Sequence, residues 1–302
     1  MSPTDHLAAG RQNGTSDAMT DPAPTAPDAP EAAPAAPGVR DGVAAIGLDG
    51  VRKVYPGRSG RDEVVAIDHI DVDVRPGEFC SIVGPSGCGK STLLYIVAGF
   101  LEASGGSVRH DGIDVDGPGV DRGIVFQQYG LFPWKTVAGN VAEGLRARGA
   151  GRREAKREAA RYLEMVGLAD SADRYPKELS GGMQQRVAIA RTLAQDPDVL
   201  LMDEPFGALD AQTRHQLQRE LTTIWAGTTK TVLFVTHSVE EAIYLSDRIV
   251  VLTHRPSTVA EIIDVDIPRP RDREDILDHP RFAELHHRVW HLLEAPAADV
   301  AP

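Results

Sequence analysis

This chain is poor in cysteine, in long apolar runs and in basic charge, and each shortage removes a class of protein. Its 302 residues contain two cysteines, Cys80 and Cys88, close together in sequence. They make no disulfide framework, and reduced thiols are the simpler reading. No stretch approaches the roughly 18 uncharged apolar residues of a membrane-spanning helix, so no span is expected. Lys and Arg number 32 against 44 Asp and Glu, a net charge of −12. With no basic stripe, that balance argues against nucleic acid as a partner. No long heptad run of the kind that builds a coiled coil is present.

The first 42 residues have almost no bulky apolar side chains, and 13 of the 17 residues from 21 to 37 are Ala or Pro. Such a segment buries too little surface to offset chain entropy, so residues 1–42 read as a disordered tail. It has no charged start followed by an apolar run, so it is not expected to be a secretion signal. The tail carries a net −4, which leaves −8 for the rest.

Against these absences stands one dense motif. Residues 84–92 read Gly84-Pro85-Ser86-Gly87-Cys88-Gly89-Lys90-Ser91-Thr92, the pattern G-x-x-x-x-G-K-[ST] of a phosphate-binding loop. Backbone N–H groups must converge on the β- and γ-phosphates, which needs conformations open mainly to glycine. Gly84, Gly87 and Gly89 are assigned that task. Lys90 adds a point charge at the phosphates, and the Ser91 hydroxyl is placed to ligate Mg²⁺. The apolar run 79–83 precedes the loop as a buried strand, and Thr92 to Phe100 reads as a helix whose dipole favours anions. Cys88 sits inside the loop. Its alkylation would block a bound nucleotide, or it is simply a small loop residue.

A second apolar run, 199–202, ends in Asp203 and Glu204. Ligands of open α/β sheets bind at the carboxyl ends of strands. Asp203 is therefore placed to hold Mg²⁺, and Glu204 to polarise an attacking water. Residues 179–186 read Leu179-Ser180-Gly181-Gly182-Met183-Gln184-Gln185-Arg186. This loop presents hydroxyl and N–H donors at the start of a helix, Met183–Ala194, as a second anion site. A plain Ser N-cap is the other reading.

In the coarse order, strands near 46–55 and 64–75 precede the loop, and short strands ending at 123–127 follow it. An amphipathic helix over 152–167 and the helix Met183–Ala194 come next. Strands at 199–203 and 231–236 then alternate with helices near 211–226 and 239–245. The last strands are 248–253 and 259–265. The alternation predicts a parallel sheet flanked by helices. Residues from about 128 to 185 interrupt it as an inserted helical subdomain.

Together these residues resemble the ATP-binding-cassette (ABC) ATPase family over about residues 45–265. The resemblance implies a phosphate-loop NTPase α/β core with an antiparallel β subdomain and an inserted helical subdomain. It implies a domain over 43–267 and a C-terminal extension over 268–302. It also extends the site. Tyr55 matches the aromatic that stacks on adenine. Gln127 matches the glutamine that senses Mg²⁺ and water, Ala208-Leu209-Asp210 the D-loop, and His237 the switch histidine at the γ-phosphate. Ser180, Gly181, Gly182 and Gln184 belong to the signature. In this family that loop faces the phosphate loop of another subunit, so ATP and Mg²⁺ are held in a head-to-tail homodimer.

The resemblance allows an importer ATPase, an exporter ATPase or a soluble ABC protein. A single cassette, without transmembrane helices or coiled coil, favours the importer. The runs 125–128, 131–134, 206–214 and 240–248 are similar to nitrate, sulfonate and taurine importer ATPases. The implied partners are membrane permease subunits and, through them, an external solute-binding protein, with the chain on the cytoplasmic face of the membrane. Residues 129–134, from Tyr129 to Trp134, suit either a groove for a permease helix or packing of the helical subdomain. Residues 280–294 form an amphipathic helix, read as a packing element rather than a membrane anchor.

Overall fold

In a computed structural model, residues 43–57, 63–271 and 273–294 are described. The sequence-predicted tail, 1–42, lies outside them. Among the described residues, strands β1 (Ile46–Pro56), β2 (Glu63–Val74), β3 (Phe79–Val83), β4 (Gly105–His110), β5 (Ile113–Asp114), β6 (Arg122–Val125), β7 (Val199–Asp203), β8 (Thr231–Val235), β9 (Arg248–Leu252) and β10 (Ser257–Asp264) make one sheet. Its order is β5-β4-β1-β2-β10-β9-β3-β8-β7-β6.

The sheet is mixed, a parallel core joined to antiparallel strands, in line with the antiparallel β subdomain that the resemblance implies. Strands β9, β3, β8, β7 and β6 run parallel. Strand β10 is antiparallel to β9 and parallel to β2. Through β10 the antiparallel strands β1, β2, β4 and β5 join the same sheet. A central parallel strand is covered on both faces, so it reads as an unbroken apolar run. Successive side chains then enter opposite cores. Phe79, Met202, Phe234 and Val251 belong to one core. Ile82, Leu201, Leu233 and Val250 belong to the other.

Helix α1 (Lys90–Val97) packs Leu93, Leu94, Ile96 and Val97 into the second core. The first is covered by α4 (Gly181–Ala194), α5 (Ala211–Ala226), α6 (Val239–Leu245) and α8 (Pro280–Glu294). Helices α2 (Val137–Ala147) and α3 (Arg152–Met165) share a third core with α4 through Val141, Leu145, Ala159, Leu163, Val187 and Ala190. Helix α4 therefore faces two cores. A short helix, α7 (Arg273–Leu277), precedes α8.

Helix α8 buries Phe282, Leu285 and Val289 in the first core, at spacings that share one helical face. Each such side chain contributes roughly 1.5–3 kcal/mol on leaving water. Arg271 fixes the approach to α7. Its guanidinium donates to the carbonyl oxygens of Ile243, Tyr244 and Ser246, satisfying carbonyls at the end of α6. Burial lowers its pKa to about 10, so it stays charged at neutral pH.

Candidate active site

Four neighbouring strands, β3, β8, β7 and β6, end at one edge. The pairings Ile82↔Val235, Asp203↔Val235 and Val125↔Met202 bring their carboxyl ends level. The phosphate loop leaves β3, Asp203 and Glu204 close β7, His237 follows β8, and Gln127 follows β6. Chain-distant residues thus converge because parallel register aligns strand ends.

The loop itself departs from expectation at one glycine. Gly87 (φ +79°) and Gly89 (φ +111°) occupy the left-handed region. Gly84 does not. A Cβ there would meet Cys88 Sγ at 2.7 Å and Leu252 Cβ at 3.1 Å, so Gly84 is set by close packing and not by backbone freedom. Around Gly87 a Cβ would meet nothing within 4 Å, leaving the loop crest open beside the exposed Ser86. Helix α1 starts at Lys90, two residues earlier than the sequence suggests, and ends at Val97. Its cap, Gly89, supplies no side-chain hydrogen bond, so the first-turn N–H groups face outward without a protein cap. Lys90 is buried, and its Nζ donates to the carbonyls of Gly84 at 2.8 Å and Pro85 at 3.2 Å. Thr92 follows on α1. Cys80 and Cys88 are both buried and free. Burial pushes the Cys80 thiol up to about 12 and raises that of Cys88.

Ser91 Oγ donates to Asp203 Oδ1 at 2.8 Å. Burial raises the Asp203 carboxyl above the usual range, against the Ser91 and Tyr95 hydroxyls beside it. Burial and Asp203 in turn push the Tyr95 phenol up to about 12. Two hard oxygens at this spacing suit Mg²⁺, which takes few protein ligands and completes its shell with water and phosphate oxygens.

Glu204 carries a positive φ of 44°, a conformation that costs about 1–3 kcal/mol for such a residue. Its N–H donates to Val235 O at 2.9 Å, and its carbonyl accepts from Gly207 at 3.1 Å. The side chain is aimed by this twist. Glu204 Oε2 meets Gln127 Nε2 at 3.3 Å and His237 Nδ1 at 3.1 Å. Tyr55, on β1, lies half-buried with Lys53 Nζ 5.3 Å from its ring centroid.

The signature is held by its own chain. Ser180 Oγ accepts from Met183 N at 3.3 Å as the N-cap of α4, and Gln184 Nε2 donates to Leu179 O at 3.2 Å. A Cβ on Gly181 would lie 2.8 Å from the Tyr129 hydroxyl, and one on Gly182 2.4 Å from Thr213 Cγ2.

Sequence reasoning assigned no site role to three residues, Arg191, Arg214 and Glu241, that tie these loops together. Arg191, on α4, donates to Gly130 O at 2.7 Å and Tyr129 O at 3.2 Å. It thereby fixes the turn after Gln127, where Tyr129 has φ +40°. Glu241 is buried. It accepts from Thr236 Oγ1 at 2.6 Å and Gln218 Nε2 at 3.1 Å, and Arg214 Nε lies 3.8 Å away. Arg214 also donates to Leu209 O at 2.9 Å, while Thr236 Oγ1 accepts from Ser238 N at 3.0 Å. A polar path therefore runs from the 208–210 turn to the turn carrying His237. Its sequence signal was masked. Ser238 followed three residues later by Glu reads as a capping box, yet the Glu241 carboxylate turns inward.

Tyr129 to Trp134 divide. Tyr129 and Leu131 pack against the first core, whereas Trp134 is 71% exposed. Asn140 holds the turn by accepting from Phe132 N at 2.7 Å and donating to Phe132 O, Lys135 O and Thr136 O.

A phosphate loop, an adjacent acidic strand end and a glycine-rich helix start on a mixed sheet define a phosphate-loop ATPase with an inserted helical subdomain. The family described as ABC transporter matches residues 67–207. An uncharacterized ABC transporter ATP-binding protein of Methanocaldococcus jannaschii is 52% identical over 247 residues, 82% of this chain and 90% of that protein. The taurine import ATP-binding protein of Rhizobium johnstonii is 46% identical over 252 residues, 82% and 96% of the two chains. The nitrate import ATP-binding protein of Synechococcus elongatus is 45% identical over 241 residues, 79% and 87%. A solved dimeric, post-hydrolysis ATP-binding cassette bound to ADP and phosphate superposes with TM-score 0.66 and 34% identity. That match covers 74% of this chain and 100% of the other. The chain belongs to the ABC transporter ATP-binding family and is an ATPase. Among the described residues no helix is long and apolar enough to cross a membrane.

Proposed function

We propose that this chain is the ATP-hydrolysing subunit of a membrane importer for a small solute of the nitrate, sulfonate or taurine class. It works as a homodimer on the cytoplasmic face, beneath permease subunits served by an external solute-binding protein. The importer names of the taurine and nitrate relatives support this reading.

The observation that carries the chemistry is the strained Glu204, gripped through one oxygen by both Gln127 and His237. In this assignment Glu204 orients the attacking water as general base. Gln127 and His237 hold its carboxylate in line, and His237 also faces the γ-phosphate. Residues 84–92 cradle the phosphates, with Lys90 exchanging its loop carbonyls for phosphate oxygens. Tyr55 stacks on the adenine. Ser91, Asp203 and Gln127 would hold Mg²⁺, which would supply charge neutralisation at the transferred phosphoryl group. Ser180, Gly181, Gly182 and Gln184 serve the nucleotide of the second subunit. Exposed Trp134, on the turn that follows Gln127, is assigned to the permease contact.

Affinity purification of a tagged Glu204→Gln chain from native membranes, with ATP and Mg²⁺, tests the assignment. A stoichiometric polytopic partner is expected, and Trp134→Ala in the otherwise unsubstituted chain should lose it while keeping ATPase activity. Recovery only from the soluble fraction, with ribosomal or nucleic-acid partners, would contradict the transport role.

A further inference from the structure

Beyond ATP chemistry, we propose that His287 and His291 form a two-histidine site for a divalent transition-metal ion, Zn²⁺ or Cu²⁺, on the outer face of α8. The two residues are four apart and therefore lie one turn above another on a single helix face. Both are exposed. Their Nε2 atoms are 3.1 Å apart, with ring centroids at 4.3 Å and planes at 71°. Two ligand bonds of about 2.0–2.1 Å, meeting at an angle between square and tetrahedral, separate the nitrogens by about 2.9–3.4 Å. The observed spacing falls inside that range. In the metal-free protein the two ring nitrogens face each other within hydrogen-bond distance, and a bound cation takes the place of that contact.

The scaffold holds this geometry from below. Phe282, Leu285 and Val289 anchor the opposite face of α8 in the core, so the pair sits on a fixed helix rather than a loose end. Glu294 lies three residues after the pair, on the same stripe, and adds negative charge there, while Glu284, three residues before it, is engaged by Arg281. The two arginines of α8 are already paired: Arg281 with Asp266 and Glu284, and Arg288 with Glu261. His286 points elsewhere and stacks on Phe282 and Trp290. No group of three or more His, Cys, Asp or Glu suited to a metal occurs among the described residues. The site therefore has two protein ligands, and solvent completes the shell. Imidazole nitrogen selects Zn²⁺, Cu²⁺ or Ni²⁺ over Mg²⁺, which keeps this site chemically distinct from the nucleotide site.

The test is calorimetric titration of untagged, nucleotide-free, full-length protein with Zn²⁺, together with electron paramagnetic resonance of the Cu²⁺ adduct. One more ion per chain is expected in the wild type than in the His287→Ala/His291→Ala double variant, with two equatorial nitrogens on Cu²⁺. Each single substitution should weaken that ion by at least about tenfold, and His286→Ala should leave it in place. Both substituted side chains are exposed, so the fold survives. Equal binding by wild type and double variant, or a loss produced by His286→Ala, would overturn the site.

Discussion

Helices α1 and α4 both begin at glycine-rich loops, yet their first turns are finished differently. Gly89 caps α1 without a side chain, so its leading N–H groups are uncapped, while the buried Lys90 turns back onto the loop carbonyls of Gly84 and Pro85. Ser180 caps α4 with its own hydroxyl, and Gly181 is pressed against Tyr129. One end has no side-chain cap; the other carries its own hydroxyl cap on the exposed Ser180 and is tied through Arg191 to the turn after Gln127. The difference teaches that one chain carries a nearly assembled catalytic edge and a separate signature surface. In the proposed homodimer, completing the site is a task for two chains.

Disrupting the uncapped end should have the largest effect. Lys90→Ala takes away the fixed charge at the phosphates, and steady-state hydrolysis should fall by about 10³-fold or more. A fluorescent nucleotide titration will show whether binding goes with it. Glu204→Gln keeps the shape of the edge but removes the base. Hydrolysis should drop by about 10²–10³-fold while nucleotide binding persists. Normal turnover by this variant would refute the base assignment.

Gly181→Ala attacks the capped end instead. The added methyl meets the Tyr129 hydroxyl, and a displacement of about 1 Å costs roughly 10²-fold in rate. Binding of nucleotide to the single chain should be unchanged. Glu241→Gln tests the path that joins the turn at 208–210 to the turn of His237. It should lower kcat by about fivefold, a coupling of about 1 kcal/mol, with KM for ATP unchanged. A rise in KM with kcat constant would make Glu241 merely structural.

The smallest effect concerns the thiols. Thiolate is the reactive form, and burial raises both cysteines, Cys80 to about 12. Less thiolate is therefore present at pH 8 than in a free cysteine. Thiol titration of folded protein should be slow at pH 8 and accelerate as pH rises, while urea exposes both groups. Rapid labelling of Cys88 at pH 8 would reverse this.

Local patterns carried the nucleotide edge. The 84–92 spacing and the Asp203-Glu204 strand end are short-range signals whose chemistry does not depend on the rest of the chain. The order of the strands was not legible, because apolar runs such as 248–252 and 257–264 look alike whether they pair parallel or antiparallel. Gly84 was misread because a motif records residue type and not the reason for it. Lys90 was left outside its helix because a glycine cap has no side-chain signal. Glu241 was hidden because its burial depends on Gln218 and Thr236, which the linear sequence does not place beside it.

Sedimentation of the Glu204→Gln chain, with and without ATP and Mg²⁺, tests most directly whether two chains complete the site. Conversion from monomer to a dimer holding two ATP molecules is the predicted result. A chain that binds ATP and stays monomeric, at every protein concentration, would contradict it.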